Sequence, residues 1–292
     1  MIRAVLKNGF VLMLLSALFY ALSDIFIKLM SPSIGSIPIA FIRFLVGGLI
    51  LLPFLMRGRE SLKGQSTHLL LVRGLTGTAA FFCLIKSIVM VPLSNAMVLF
   101  YTFPLFATFF SFLLLREPLK KLEVLLTFIG LTGIYILINP GAHSLSAGHA
   151  YGLLAGCFAG LTVVLIRKVR QSNGPLIIYF YFCLVGGIVS LPFYVAGFAM
   201  PNSEVLLLLV VLAVIFLIAQ LFMNQGFKYC KASEGAVILM SEVVFTGVAG
   251  VLIFGDSPTA AFWIGAALIM GSGVGLNLVT RTSNSSASAP NA

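Results

Sequence analysis

Long apolar runs alternate with short polar connections along almost the whole chain. A membrane-spanning helix needs about 20 mostly apolar residues, and ten runs meet that requirement. The runs cover 8–30, 35–56, 68–90, 92–115, 122–139, 147–169, 175–198, 203–225, 234–254 and 259–279. Because they are continuously apolar and do not alternate with polar positions, they predict helices and not the strands of a barrel. The pattern therefore predicts an all-α integral membrane protein with ten transmembrane helices.

The composition supports this class and argues against a soluble one. Hydrophobic residues make up 60% of the 292 residues and charged residues 9%, whereas a soluble globular chain carries about 25% charged residues. The four cysteines stand singly, as small buried apolar side chains do, and not in the pairs that disulfides or metal sites use. We expect no metal site and no cofactor.

The net charge of +10 is distributed unevenly among the connections. Nearly all Lys and Arg residues fall in the connections that lie inside if the N-terminus is cytoplasmic, while 139–149 and 199–203 contain none. Positive residues favour the cytoplasmic side of a membrane. Both termini are therefore predicted to be cytoplasmic. The excess positive charge fits attraction to anionic lipid, and we expect no nucleic-acid partner.

The chain contains an internal repeat. Residues 45–54 (LVGGLILLPF) and 184–193 (LVGGIVSLPF) agree at seven of ten positions, at an offset of 139. The same offset aligns 14–28 with 153–167, and an offset of 140 aligns several positions further along the chain. We infer two five-helix repeats and a short disordered tail. The repeats span 1–140 and 147–281, and the tail spans 282–292.

Five is an odd number, so the second repeat enters the membrane from the opposite side. Such an inverted-topology repeat is the architecture of many secondary transporters, which alternate access to a site at the midplane. A membrane scaffold built from a duplicated half is the alternative without transport. The chain has no HExxH, GxSxG or P-loop motif, and its three histidines are scattered over span edges and loops. We therefore expect a carrier and not an enzyme.

Several short motifs occur at fixed places in the two halves. They are FIRF in the second run, RGLTG in the third, SNAMVLFYTFPLF and LLLREPL in the fourth, and LIFGDSPTAAFWIGAALIMGSGVGLN at the end of the second half. Together they resemble the drug/metabolite transporter superfamily, EamA family. One departure is Asp256, where that family's closing motif often has Glu.

The resemblance implies a carrier of the inner membrane for a small organic metabolite, such as an amino acid or an amine, with export as the expected direction. SDIFIK, with FIRF and RGL, is also similar to a branch that takes up S-adenosylmethionine. Uptake of that compound, or of a related nucleoside metabolite, is therefore the alternative function.

Polar side chains inside apolar helices are costly to insert, so they mark candidate sites. In the first run, Asp24 and Lys28 are four residues apart and can pair on one helix face, and Tyr20 continues that face inward. The pair is either a structural ion pair or a substrate-facing or gating group.

The fourth run contains Pro104 near mid-membrane, where a proline frees a carbonyl and kinks the helix, so it is a candidate hinge. Tyr101 and Thr102 precede it, and Asn95 lies two turns outward on the same predicted face. At the offset of 140, Thr102 corresponds to Glu242, the acid deep in the ninth run. Glu242 is suited to binding a cationic group, to taking up a proton or to pairing with a buried base.

Three bases accompany these residues. Arg43 lies about 12 Å into the second run, and we expect it to clamp carbonyls or a carboxylate, with Glu242 as one possible partner. Arg73 is near the cytoplasmic end of the third run and is expected to reach headgroups or helix ends. Lys86, near the outer end of that run, is expected to snorkel to the interface.

The eighth run has an i, i+4 polar pair, Gln220 and Asn224, and Phe81 in the third run belongs to a group of candidate aromatic walls. The candidate substrate-binding residues are Tyr20, Asp24, Phe81, Asn95, Tyr101, Thr102, Gln220, Asn224 and Glu242. The candidate structural or gating residues are Lys28, Arg43, Arg73, Lys86 and Pro104.

Small residues recur at every fourth position in two runs: Gly152, Gly156 and Gly160 in the sixth, and Gly271 and Gly275 in the tenth. Such stripes let helices approach closely. They predict packing within the fold or contact between two copies, so a monomer and a homodimer both stay open.

Overall fold

The computed structural model is all-helical over the residues that it describes, which are 7–30, 34–57, 62–118, 120–139, 146–197, 202–255 and 259–287. The helices are Gly9–Met30, Ser36–Arg57, Thr67–Met90, Leu93–Phe100, Phe103–Phe110, Lys121–Ile138, Ala147–Val169, Pro175–Ala196, Ser203–Gly226, Ala232–Leu239, Ser241–Phe254 and Ala260–Ala287. Ten spans in this part of the chain are long and apolar enough to cross a membrane. The predicted ten-span architecture is confirmed.

Two of the spans consist of two helices each. The fourth span is made of Leu93–Phe100 and Phe103–Phe110, followed by a π-helical turn, Ser111–Leu115. The ninth span is made of Ala232–Leu239 and Ser241–Phe254. The other spans are single helices.

The two halves of the chain interlock through equivalent contacts. The first span packs on the eighth, and the third packs on the sixth, which is the same pairing with the halves exchanged. The first span also packs on the ninth, and its counterpart, the sixth, packs on the fourth. In the same way the second span packs on the eighth, and its counterpart, the seventh, packs on the third. The second and seventh spans pack on each other, as do the fifth and tenth. These pairings are those of two five-helix repeats of opposite orientation.

The fourth and ninth spans are broken at equivalent points. The fourth turns at Tyr101 and Thr102 and resumes with Pro104 in the first turn of its second helix. The Thr102 hydroxyl donates to the Leu99 carbonyl, and the Ser241 hydroxyl donates to the Ile238 carbonyl, each at 2.6 Å. Side-chain bonds of this kind compete with the helical ladder and accompany bends.

These two bonds correct one expectation from the sequence. They align Thr102 with Ser241, at the offset of 139, and not with Glu242 at the offset of 140. The counterpart of Glu242 is therefore Phe103. The two breaks therefore define the register between the halves at this depth.

The sixth span lies directly against the broken part of the fourth. A Cβ atom on Gly156 would stand 2.7 Å from the Thr102 hydroxyl and 2.8 Å from the Leu99 carbonyl oxygen. A Cβ atom on Gly160 would stand 2.7 Å from both the Phe103 carbonyl oxygen and the Ala107 amide nitrogen. The expectation that this glycine stripe serves packing within the fold is confirmed.

Polar contacts join the halves at the end of the bundle whose connections carry most of the Lys and Arg residues, here called the basic end. Within the second half, an Arg167 Nη atom donates to the carbonyls of Phe227 and Lys228 at 2.7 and 2.9 Å. The Nε of Arg167 lies 3.6 Å from Glu117 of the first half. The backbone N–H of Gln65 in the first half donates to Oδ1 of Asn173 in the second half at 2.6 Å. The basic end is thus held together by contacts between the halves.

The last span is longer than predicted. Its helix continues to Ala287, through residues 282–287, which the sequence assigns to a disordered tail. An existing helix adds residues at little cost, which explains why the small polar residues after the apolar stretch stay helical. The predicted tail residues 288–292 lie outside the described part of the chain.

Candidate functional site

A cavity of about 280 Å³ lies between the two halves, at mid-depth of the bundle. It is close to the lower limit of the roughly 300–1,000 Å³ that is usual for small-molecule sites. Its wall is largely apolar and aromatic. The polar and charged lining residues are Tyr20, Asp24, Arg43, Arg73, Tyr101, Thr162, Gln220 and Glu242.

Most residues of the wall come from equivalent positions of the two halves, 139 residues apart. The pairs are Tyr20 with Ala159, Asp24 with Val163, Arg43 with Phe182, Gly77 with Phe216, Phe81 with Gln220, Leu84 with Met223, Phe100 with Leu239 and Phe103 with Glu242. In each pair that contains a charged residue, the counterpart is apolar. The cavity is therefore symmetric in its positions and asymmetric in its chemistry, so the fold itself does not require the charges.

Arg43 is buried and lies among aromatic rings. Its guanidinium carbon stands 3.9 Å from the ring centre of Phe216, 5.1 Å from that of Phe44 and 5.2 Å from that of Phe81. Such stacking on ring faces is a favourable environment for a guanidinium. The expected clamp on carbonyls or a carboxylate is wrong for the described residues, because the rings of three different spans surround the group instead.

Arg73 lies deeper in the fold than the sequence suggested. It is 1% exposed, stacks on Phe182 at 4.2 Å and donates through Nη2 to the Gln220 side chain at 2.9 Å. The expectation that it reaches headgroups or helix ends is therefore wrong, because the seventh and eighth spans cover it. Its Nε and Nη1 atoms, like the Nε of Arg43, have no hydrogen-bond partner among the described residues.

Two carboxylates lie in the same cavity. Asp24 accepts a hydrogen bond from the Thr246 hydroxyl at 3.0 Å, and Glu242 has neither a hydrogen bond nor an ion pair within the described residues. The two carboxylates are close enough to repel each other when both are charged. The alternative in which Glu242 neutralises Arg43 is thus not realised. The side chain of Lys28, the predicted partner of Asp24, lies outside the described part of the structure.

Tyr20 lies near charges of both signs. Glu242, Arg73 and Arg43 all act on it electrostatically. Its hydroxyl lies 3.5 Å from the sulfur of Met223, and its ring packs edge-on against Phe216. The charges of the two signs contact different spans. Asp24 contacts Thr246 of the ninth span, which also carries Glu242. The two arginines contact Phe182, Phe216 and Gln220 of the seventh and eighth spans. The wall therefore has an acidic region at the ninth span and a basic region at the seventh and eighth.

The structure brings most of the predicted binding residues to this cavity. The lining members of that set are Tyr20, Asp24, Phe81, Tyr101, Gln220 and Glu242. Among the residues predicted to be structural or gating, Arg43 and Arg73 also line it. Lys86, which is exposed on the third span, and Pro104, which follows the break in the fourth span, are not among the residues that line the cavity.

Three predicted binding residues lie elsewhere. Asn95 is buried in the first helix of the fourth span, and Thr102 donates its hydroxyl to the Leu99 carbonyl; neither residue lines the cavity. Asn224 is one turn nearer the basic end than Gln220 and is fully buried, where it donates to the Pro175 carbonyl at 3.2 Å. Its role here is contact between the seventh and eighth spans.

Phe182 and Phe216 are wall residues that sequence reasoning missed, although both contact an arginine of the cavity. The offset of 139 was a usable signal for them, because it aligns Phe182 with Arg43 and Phe216 with Gly77 of the third span.

Comparison with known proteins gives a consistent picture over the whole chain. The model of the EamA-like transporter family matches residues 7–139 and again residues 146–278. The chain is 28% identical to the pseudopaline exporter CntI of Pseudomonas aeruginosa, over 92% of this chain and 96% of the relative. It is 25% identical to the S-adenosylmethionine uptake transporter of Rickettsia prowazekii, over 90% of each chain.

Two further matches are more distant. Solute carrier family 35 member G1 of Homo sapiens is 24% identical over 90% of this chain and 76% of the relative. A protein of known crystal structure has the same fold, with a TM-score of 0.79 and 18% identity over 94% of this chain and 98% of that chain.

Proposed function

This chain belongs to the EamA-like transporter family, and from that premise we propose that it is a secondary transporter of the cell (inner) membrane that moves a small organic metabolite by alternating access. The observation that supports this most is the central cavity, whose wall is built from equivalent positions of two inverted halves. A site at such an interface becomes accessible from either side when the halves exchange conformations.

The two broken spans are the parts suited to this exchange. Both breaks border the cavity, since Tyr101 and Phe103 in the fourth span and Leu239 and Glu242 in the ninth line it. A break absorbs a change of backbone angle without disrupting a continuous helix. We propose that the two helices of each broken span move relative to each other during transport.

We propose export as the direction and cytoplasmic positions for both termini. The basic end then faces the cytoplasm, as the positive-inside rule requires. The exporter from Pseudomonas aeruginosa is the more similar of the two bacterial relatives named above. Because the cavity is complete within one chain, one chain is the transport unit, either as a monomer or within a homodimer.

Uptake of S-adenosylmethionine is the second candidate function. It is favoured by the match over 90% of both chains to a transporter of that name, and a wall with aromatic rings and both signs of charge suits such a compound. Uptake of the labelled compound by intact cells that express this chain, compared with cells that lack it, separates import from export.

Counterflow in proteoliposomes tests the proposed function. Vesicles are loaded with one unlabelled compound from a panel of amino acids, amines, sugars and nucleosides, and the entry of the same labelled compound is measured. A carrier shows transient accumulation above equilibrium, a channel shows equilibration only, and a scaffold shows neither. Absence of accumulation for the whole panel, with correctly folded protein in the vesicles, would overturn the proposal.

A further inference from the structure

The cavity carries charges of both signs at separate places, and we propose that the transported metabolite is a zwitterion. Its carboxylate binds at Arg43 and Arg73, its amine binds at Glu242 and Asp24, and its body lies against the aromatic wall between them. This inference rests on the proposed transport function and specifies the substrate class of the same site.

The basic region offers a binding place for a carboxylate. Arg43 and Arg73 are both buried, and neither forms an ion pair with an acid among the described residues. Arg73 uses Nη2 for Gln220, which leaves its Nε and Nη1 without a partner, and the Nε of Arg43 has none either. A guanidinium presents its donors in a fork that matches a carboxylate. A buried charge without a counter-charge is costly, so a bound carboxylate would satisfy both arginines.

The acidic region offers a binding place for an ammonium group. Within the described part of the chain, Glu242 lacks a partner and Asp24 accepts a hydrogen bond from the neutral hydroxyl of Thr246. The two carboxylates repel each other when both are charged, and a cation between them would relieve that repulsion. Asp24 also interacts with Arg43 over a longer distance, which places the amine of the substrate nearer Glu242.

The part of the wall between these regions is aromatic. Phe81 and Phe216 border the guanidinium of Arg43. Phe100 packs on Tyr101, and Tyr20 packs edge-on against Phe216. These rings suit an apolar body that connects the two charged ends. The volume of about 280 Å³ restricts that body to a small one.

The charge balance argues against substrates with a single charge. The described side chains that line the cavity include two arginines and two acids, so the formal charges of these four groups cancel. A simple anion would satisfy the arginines and leave the two acids in repulsion. A simple amine would leave Arg73 without an acidic partner among the described residues and Arg43 with Asp24 alone. A zwitterion meets both requirements and adds no net charge to the low-dielectric interior.

The test compares matched compounds that differ by one charge. Leucine, methionine and phenylalanine are each measured in counterflow beside their amides, which keep only the amine, and their N-acetyl derivatives, which keep only the carboxylate. S-adenosylmethionine and uncharged sugars and nucleosides complete the panel. We expect accumulation of one or more zwitterions and at least a ten-fold weaker signal for the matched derivatives.

Two variants assign the ends of the substrate. Arg73→Gln should weaken transport of the zwitterion and remove its advantage over the amide, and Arg73→Lys should restore part of that advantage. Glu242→Gln should instead remove the advantage over the N-acetyl derivative. A structural role for either residue would lower transport of all three compounds equally, which would overturn the assignment of that end.

The outcomes separate the substrate class from the function. If an amide or an N-acetyl derivative is transported as well as its parent, or if only uncharged compounds accumulate, the chain is a carrier but the zwitterion proposal is wrong. If no compound accumulates, the proposed transport function itself is wrong, and the zwitterion proposal that rests on it is wrong with it. The wild-type comparison decides the substrate class even when a variant does not fold.

Discussion

The ammonium group of Lys231, just before the ninth span, lies 2.7 Å from a carboxylate oxygen of Glu123 in the first turn of the fifth span. Glu123 is 3% exposed at its side chain and Lys231 is 20% exposed. The pair therefore joins the two halves in a largely water-excluded place at the basic end. Such a pair holds the halves together on this side of the cavity.

Removing one partner of this pair should destabilise the protein. Lys231→Gln leaves the Glu123 carboxylate buried without a counter-charge, and we expect a loss of about 2 kcal/mol, less than for a fully buried pair because Lys231 reaches water. The double variant Glu123→Gln/Lys231→Gln should recover part of that loss. The check is the unfolding midpoint in detergent.

The more exposed ion pair at the same end provides the control. Glu117 and Arg167 are 3.6 Å apart, and both side chains are about one-fifth exposed. Exposed pairs contribute about 0–1 kcal/mol, so Glu117→Gln should shift the midpoint less than Lys231→Gln. Equal shifts for the two variants would show that burial does not determine the strength of these contacts.

The matched hydroxyl bonds at the two breaks lead to a second prediction. Thr102→Val and Ser241→Ala each remove a donor to a carbonyl, at a cost of about 1 kcal/mol, and we expect both variants to slow counterflow because the breaks border the cavity. Ser190→Ala is the control, since Ser190 makes the same kind of bond, to the Gly186 carbonyl at 2.6 Å, within an unbroken helix.

All three variants should lose similar stability, whereas only the two at the breaks should transport more slowly. The measurements are the unfolding midpoint and the counterflow rate at equal amounts of folded protein. If Ser190→Ala slows transport as much as the other two, the breaks have no special part in the transport cycle.

The fold was predictable because its signals are local and repeated. Ten long apolar runs follow from the requirement that a helix in lipid satisfies its own backbone, and the recurrence of LVGG and LPF at a constant offset shows the two halves. The break in the fourth span has a local cause in Pro104. The break in the ninth span has no proline. Its equivalence to the break in the fourth span is seen only from the bond of the Ser241 hydroxyl, which matches that of Thr102.

The site was predictable only in part, because contacts between spans decide which polar residues face the cavity. Asp24, Tyr20 and Glu242 were found since a polar residue deep in an apolar helix is conspicuous. Arg73 was misplaced because its depth along its own helix says nothing about the spans that cover it. Asn95 is buried but does not line the cavity, and its distance along the helix from Thr102 did not reveal this.

Close packing of the sixth span on the fourth leads to a third prediction. Gly160→Ala should destabilise the protein by about 1–3 kcal/mol, because the new Cβ would meet backbone atoms of Phe103 and Ala107 that have no room to move. Gly271→Ala is the control, as a Cβ there meets nothing within 4 Å, and alanine in a helix interior is favoured by about 1 kcal/mol. The unfolding midpoints of the two variants should therefore move in opposite directions, and a shared direction would contradict this packing.

The orientation of the bundle leads to a fourth prediction, which single cysteines can test. Lys121 and Gln171 are exposed at the basic end, and Ser36 and Ser203 are exposed at the opposite end. We expect a membrane-impermeant maleimide to label cysteines at Ser36 and Ser203 in intact cells, and those at Lys121 and Gln171 only after permeabilisation. The physical reason is that the cluster Arg167, Lys168 and Arg170 beside Gln171 resists translocation across the membrane.

The native cysteines give a low background for this measurement. Cys183 and Cys230 are buried, and Cys83 and Cys157 are half-buried within spans, so the unmodified chain should label weakly under both conditions. Ser36 begins the second span and Ser203 begins the eighth, which is the counterpart of the third span in the second half. Because the second half is inverted, the second and eighth spans run in the same direction. Cysteines at Ser36 and Ser203 must therefore be labelled from the same side. Labelling of Gln171 in intact cells, with Ser203 protected, would reverse the orientation. The ion pairs at the basic end would then join the halves on the outer side of the cavity and not on its cytoplasmic side.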